Sequence, residues 1–163
     1  MNIFEGANEG DFRADFIFEI NQLYCNLYNV LKMLSMSVKK EKFELEYIIN
    51  TSPSIVFNRL SSPSGLSEWF ADDVNLVGKT YTFVWEGSGQ EAELVLRKEN
   101  KMIRFHWLDD EDESTYFEFR INVDEITGET ALLIIDFAEP DDKDDAIELW
   151  NQQIDELKHG LGA

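Results

Sequence analysis

Short segments of alternating apolar and polar residues fill the region 74–138, and this alternation is the strongest constraint on the fold. Alternation with a period of two is typical of half-buried strands. Turn-forming residues separate the segments, with Gly87, Asn100 and Gly128 at three of the breaks. Because such short turns cannot join parallel neighbours, the pattern predicts a five-stranded antiparallel meander.

The last segment, 141–161, predicts one long amphipathic helix. Its apolar residues recur at steps of three and four, which places them on one face of an α-helix: Ile147, Trp150, Ile154, Leu157 and Leu161. Acidic residues crowd the first turn, and Lys158 and His159 precede Gly160 in the last turn, so both ends suit the helix dipole. We expect the sheet to curve around this helix.

A further strand and two short helices are predicted before the meander. Residues 42–50 alternate as a half-buried strand does. The segments Thr51-Ser52-Pro53 and Ser62-Pro63 each place a hydroxyl side chain before a proline, which is a signal for a helix start. The predicted fold class is therefore α+β, with a six-stranded curved antiparallel sheet, two short helices after the first strand, and a long C-terminal helix packed across the sheet.

The composition restricts the partners. The chain has 163 residues and a net charge of -19, which would repel phosphate backbones and anionic lipid headgroups. We therefore expect neither nucleic acid nor a membrane as a partner, while solubility and recruitment of a basic protein both remain as explanations of the charge. Cys25 is the only cysteine, so the sequence excludes an intramolecular disulfide and a zinc site built from cysteines. A reducing, cytoplasmic location is expected, and no metal or cofactor is predicted.

Residues 1–40 are predicted to be an N-terminal extension, and 41–163 the main domain. Apolar residues at helical spacing predict a helix from about Phe12 to Leu34. Polar residues such as Glu19 and Lys32 interrupt this run, which fits neither a membrane span nor a signal peptide. Three roles remain open for it: a passive extension, a helix docked on the domain or on a second copy as a dimer contact, and a surface anchor. The oligomeric state is not determined.

Three segments carry a resemblance to a known family: Ser52-Pro53-Ser54-Ile55-Val56-Phe57, Pro63-Ser64-Gly65-Leu66-Ser67-Glu68-Trp69-Phe70, and Trp150 with Leu157-Lys158. With the order of elements, they resemble the helix-grip arrangement of the steroidogenic-acute-regulatory-related lipid-transfer (START-like, SRPBCC) superfamily. The chain is most similar to the branch of the activator of the heat-shock ATPase, over roughly residues 41–162. Such a fold hosts transporters, cyclases, sensors and co-chaperone domains, so the resemblance predicts the fold better than the function.

The resemblance implies a cavity between the sheet and the last helix. Strand alternation, the short helices and the last helix select the candidate ligand-binding residues: Trp69, Phe70, Tyr81, Phe83, Trp85, Phe105, Trp107, Phe117, Phe119, Trp150 and Ile154. Alternation also turns Leu94, Leu133 and Ile135 inward, and Asp136 outward. Because only Tyr81 and two indole groups carry a polar atom on the predicted inward face of the sheet, the predicted ligand is mostly apolar and takes one or two hydrogen bonds. The same large rings could instead fill the space completely.

The favoured function is a non-catalytic domain that binds a small apolar ligand. His106 is expected to point outward and His159 to lie at a helix end, so no catalytic or metal site is predicted and the protein is not expected to be an enzyme. Two alternatives remain. One is a co-chaperone-like module that meets a basic protein through its acidic surface. The other is a cyclase- or hydrolase-like enzyme, which would need His106 or Glu118 to line a pocket.

Overall fold

The structure is a computed structural model that describes residues 22–24, 26–28, 30–31 and 39–162. The chain divides into two units, residues 1–39 and 40–163, and each is described by itself. In the first unit, residues 22–24, 26–28 and 30–31 are helical, as predicted, and the rest of the predicted N-terminal helix lies outside the described residues. The domain boundary and the role of this segment stay predictions.

The described part of the second unit contains one antiparallel sheet of seven strands in the order β1-β7-β6-β5-β4-β3-β2. The strands are β1 (Glu41–Ile49), β2 (Asp73–Val77), β3 (Thr80–Trp85), β4 (Ser88–Lys98), β5 (Met102–Trp107), β6 (Phe117–Val123) and β7 (Thr130–Ala138). Strands β2 to β7 form the meander, and β1 pairs with β7.

The prediction of six strands was wrong by one. The additional strand is β2, which pairs with β3 across a turn at Gly78. This glycine has φ +64°, a left-handed conformation that glycine adopts without a steric penalty. Two strands joined by so short a turn looked like one alternating segment in the sequence.

Two short helices, α1 (Pro53–Ser61) and α2 (Pro63–Leu66), follow β1 as predicted. The side chain of Ser62 caps α2 by accepting a hydrogen bond from the Gly65 N–H at 3.0 Å. Ser52 stands at the equivalent position of α1, but its side chain makes no capping hydrogen bond. A proline in the first turn is therefore what the two helix starts share.

The long helix α3 (Lys143–Leu161) ends at Leu161, as predicted, and Gly162 in a left-handed conformation terminates it. Its predicted apolar stripe is confirmed, because Trp150, Ile154 and Leu157 are buried. The hydroxyl of Tyr47 on β1 donates to Asn151 Oδ1 at 2.6 Å, a hydrogen bond that also joins α3 to the sheet. The core lies between the inner face of the sheet and these helices.

The opposite, outer face of the sheet carries a buried ion pair. Glu118 on β6 is fully buried, and its carboxylate accepts from Arg104 Nε at 2.6 Å and from Arg120 Nη2 at 2.5 Å. The Arg104 guanidinium also lies 3.9 Å from the centroid of the Tyr116 ring. Two cations thus compensate the desolvation of one carboxylate. No helix among the described residues has the length and apolarity needed to span a membrane.

We predict that Gly65→Ala destabilises the domain by roughly 1–3 kcal/mol, because there is no room for a side chain. A Cβ atom at this position would lie 2.5 Å from the Asn58 carbonyl oxygen and 2.8 Å from the Arg59 Cα atom, both in the backbone of α1. Urea unfolding followed by circular dichroism measures the difference in the free energy of unfolding.

Gly160→Ala is the matched control, since a Cβ there meets no atom within 4 Å and the position is helical. This substitution should stabilise the domain by roughly 0.5–1 kcal/mol through the higher helix propensity of alanine. Equal effects of the two substitutions would contradict the close packing of α1 against α2.

Candidate ligand-binding cleft

Aromatic side chains fill the space directly between the sheet and α3. Six of the predicted site residues are almost completely buried in this packed core: Tyr81, Phe83, Phe105, Phe117, Phe119 and Ile154. The ring centroids of Phe105 and Phe117 are 5.0 Å apart, as are those of Tyr81 and Phe105. The Tyr81 hydroxyl donates to the Ser61 carbonyl at 2.9 Å, so the protein itself satisfies this buried polar group.

An open cleft with a volume of about 880 Å³ lies beside this core, between the α2–β2 connection, the sheet and α3. Its lining includes the remaining predicted site residues: Trp69, Phe70, Trp85, Trp107 and Trp150. It also includes residues that the sequence did not select: Ser67, Glu68, Ala71, Asp72, Gln90, Asp136, Ala146, Leu149, Gln153 and Glu156. The predicted residues therefore separate into a packed core and a cleft wall, and ligand binding by them stays a prediction.

All four tryptophans of the chain line the cleft. Three of the indole N–H groups donate within 3.0 Å: Trp69 to the Arg59 carbonyl, Trp85 to the Phe70 carbonyl and Trp150 to Asp136 Oδ2. These hydrogen bonds hold the ring planes in place. Trp107 is partly exposed, and its N–H has no hydrogen-bond partner among the described residues.

Asp136 faces the cleft, which overturns the outward orientation expected from the sequence. In the β6–β7 register, Phe119 pairs with Ile134 and Ile121 pairs with Leu132. Directly opposite residues share a face of the sheet, so Ile134 and, two residues on, Asp136 point inward with Phe119. Leu133 and Ile135, which were expected inward, point to the outer face. Because β7 is apolar on both faces from Ala131 to Ile135, alternation could not determine its phase.

The Asp136 carboxylate is held on two sides. Its Oδ2 accepts from the Trp150 indole at 2.8 Å, and its Oδ1 accepts from the Phe137 backbone N–H at 2.8 Å. Burial raises the pKa of this carboxyl from 3.8 to about 6, although both hydrogen bonds and the charge of Lys40 act in the opposite direction. One titratable group with a perturbed pKa therefore lies in the wall of the cleft.

The other titratable side chains considered for catalysis lie elsewhere. Glu118 is on the outer face of the sheet, between its two arginines. His106 also points to the outer face, as predicted, where its Nδ1 is 2.9 Å from the Thr115 carbonyl oxygen and it lines an open pocket of about 620 Å³. His159 is exposed near the end of α3. Neither histidine reaches the cleft, so Asp136 has no imidazole beside it.

Comparison with known proteins identifies the fold family. The family model described as a START-like superfamily domain matches residues 36–163. This chain belongs to the START-like superfamily. The comparison with curated proteins gave no match.

Solved structures support the same assignment. The solution structure of BfR322 from Bacteroides fragilis is 45% identical over 76% of this chain and 92% of that chain, with a TM-score of 0.56. The Aha1 dimer from Colwellia psychrerythraea is 21% identical over 72% and 93% of the two chains, with a TM-score of 0.62. DynU16, a protein of the dynemicin biosynthetic locus, is 11% identical over 77% and 48%, with a TM-score of 0.62. At this identity, the last two likenesses show that the START-like fold is shared and carry no function with them.

We predict that the buried carboxyl makes the START-like domain less stable as the pH rises. Asp136 binds its proton more tightly in the folded than in the unfolded state, so its contribution to stability is present at low pH and is lost as the pH rises towards about 6. The side chain of Asp136→Asn cannot ionise. The free energy of unfolding of this variant, relative to that of wild type, should therefore rise by roughly 2–3 kcal/mol between about pH 4 and pH 7. Urea unfolding at each pH measures this difference.

Asp124→Asn provides a control of opposite sign. Hydrogen bonds from the backbone N–H groups of Thr127 and Ile126 hold the pKa of the Asp124 carboxyl below its usual value. The stability from this group is present above its unfolded pKa, so Asp124→Asn should lose stability relative to wild type as the pH rises. If the free energies of unfolding of wild type and Asp136→Asn changed in parallel with pH, the Asp136 carboxyl would not be desolvated in the folded state.

Proposed function

We propose that this START-like domain binds a small, largely apolar molecule in the open cleft and does not transform it chemically. The observation that carries the proposal is the position of all four tryptophans around one cleft of about 880 Å³, next to a core that is already full. This volume suits a small-molecule site, since such sites usually measure about 300–1,000 Å³ and have mainly apolar walls. The packed rings make the wall rigid, which lowers the entropic cost of binding.

The side chains around the cleft favour binding over catalysis. In the part of the chain that the structure describes, no histidine, cysteine, lysine or tyrosine belongs to the lining. The Ser67 hydroxyl donates to the Pro63 carbonyl at 2.8 Å, and no base adjoins it that could activate it as a nucleophile. Asp136 is the one lining carboxyl in the described part of the chain that is not exposed, and acid–base catalysis of a cyclase or hydrolase reaction generally uses a second group held beside it. A non-catalytic role therefore accounts best for this set of side chains.

Binding of a basic protein to the acidic surface is the alternative that the charge of -19 supports. Charge of one sign spread over a surface also serves solubility. The cleft, in contrast, combines shape, aromatic walls and individual polar atoms in one place, and for this reason we favour the small-molecule ligand.

N-phenyl-1-naphthylamine, a neutral apolar dye, tests the proposal. Its absorption overlaps tryptophan emission, so binding in the cleft should produce strong energy transfer from the surrounding indoles. We predict saturable binding, and at least about tenfold weaker binding to Trp107→Ala, because the dye would lose stacking on a partly exposed ring.

Two exposed leucines supply a matched pair of variants that should not affect folding. Leu149 lines the cleft and is 56% exposed, whereas Leu108 is 49% exposed and lies outside the cleft lining. Leu149→Ser should weaken dye binding several-fold, and Leu108→Ser should leave it unchanged. The proposal fails if no saturable energy transfer occurs, or if both leucine variants and Trp107→Ala bind the dye as wild type does.

A further inference from the structure

Among the described residues, the charged side chains that line the cleft are all acidic. They are Glu68, Asp72, Asp136 and Glu156, and this part of the chain adds no lysine, arginine or histidine to the lining. Glu68 forms an ion pair with Arg59, which lies outside the lining. None of the other three acids forms an ion pair among the described residues. The cleft therefore has a negative potential, which the charge of the whole chain reinforces.

The aromatic walls add a second attraction for positive charge. The face of an indole ring carries negative electrostatic potential, and tryptophan is the best aromatic partner for a cation. The centroids of Trp85 and Trp107 are 6.3 Å apart with an angle of 55° between the ring planes, so these partly exposed rings form a corner of the cleft. Trp150 donates directly to Asp136. Indole rings and a carboxylate thus occur in the same wall.

Ligands of different charge would experience this cleft differently. A neutral apolar ligand would desolvate Asp136 further without compensating its charge, and an anion would be repelled by the surrounding carboxylates. A bare metal ion would need several converging oxygen ligands, and no group of three or more His, Cys, Asp or Glu side chains in the described part of the chain is arranged to bind one. An organic cation would be attracted by the carboxylates and also contact the rings.

We propose that the ligand of this cleft is an organic cation, with a quaternary or protonated amine attached to an apolar body. The ammonium group lies against the indole rings of Trp85 and Trp107, within reach of the field of Asp136, and Glu156 adds charge at the rim on α3. This inference rests on the proposed function, because it names the chemical class of the molecule that the cleft binds.

Three ligands that share a phenyl ring separate charge from shape. Benzyltrimethylammonium carries the positive charge, neopentylbenzene is its neutral isostere with carbon in place of nitrogen, and phenylmethanesulfonate is negative. Each competes with N-phenyl-1-naphthylamine at constant ionic strength. We expect the cation to displace the dye at an at least about tenfold lower concentration than the neutral isostere, and the anion not to displace it.

Charge variants locate the effect. Asp136→Asn should weaken binding of the cation about tenfold and leave the neutral isostere unchanged or bound more tightly. Glu156→Gln changes an exposed residue of α3. It should weaken binding of the cation several-fold without affecting folding. Glu93→Gln removes the same charge from an exposed residue outside the cleft lining, so it should have no comparable effect.

The outcomes distinguish the two proposals. Equal displacement by the cation and the neutral isostere, or equal effects of Glu156→Gln and Glu93→Gln, would overturn the cation inference while the apolar cleft stands. Absence of saturable dye binding to wild type would overturn the proposed function itself.

Discussion

The packing of aromatic rings between the sheet and α3 is the contact on which the rest of the structure depends. Phe70, in the connection between α2 and β2, lies at the centre of this packing. Its ring centroid is 5.7 Å from that of Trp150 on α3 in a stacked arrangement and 5.1 Å from that of Phe83 on β3 in an edge-to-face one. A single ring thus joins the short helices, the sheet and the long helix. The rings buried between the sheet and α3 pack against one another, and the open cleft lies at the edge of this packing, where Trp85 and Trp107 remain partly exposed.

The hydrogen bond between Trp150 and Asp136 connects this core to the chemistry of the cleft. The indole N–H of a buried tryptophan needs an acceptor, and the carboxylate provides one that is short and charge-assisted. The same burial that makes this hydrogen bond strong penalises the ionised carboxyl and raises its pKa to about 6. One residue therefore fastens α3 to the sheet and also supplies the acidic group of the proposed site. On the outer face, Glu118 is fully buried but is compensated by two arginines, which suits a structural role.

Much of the fold could be predicted from local patterns. The meander, the two proline-initiated helices and the stripe of α3 each follow from spacings within a short segment. Two features were not predicted from the sequence: the strand β2, and which side chains of β7 point inward. In β7 both faces are buried, so Leu133 and Ile134 look equally suited to the core, and only the pairing of Ile134 with Phe119 across β6 distinguishes them. A shift of one residue turns every side chain of a strand to the other face. For this reason the sequence alone placed Asp136 outside the site.

The sequence by itself determined the classes of element, their order, and an interior rich in aromatic rings, because these depend on the period of apolar residues and on turn and capping residues that act locally. The division of those rings into a packed core and a cleft wall, and the entry of one carboxyl into that wall, were decided by the tertiary structure. Both depend on the strand register and on how closely rings from separate elements approach, which are set by contacts between residues far apart in the chain.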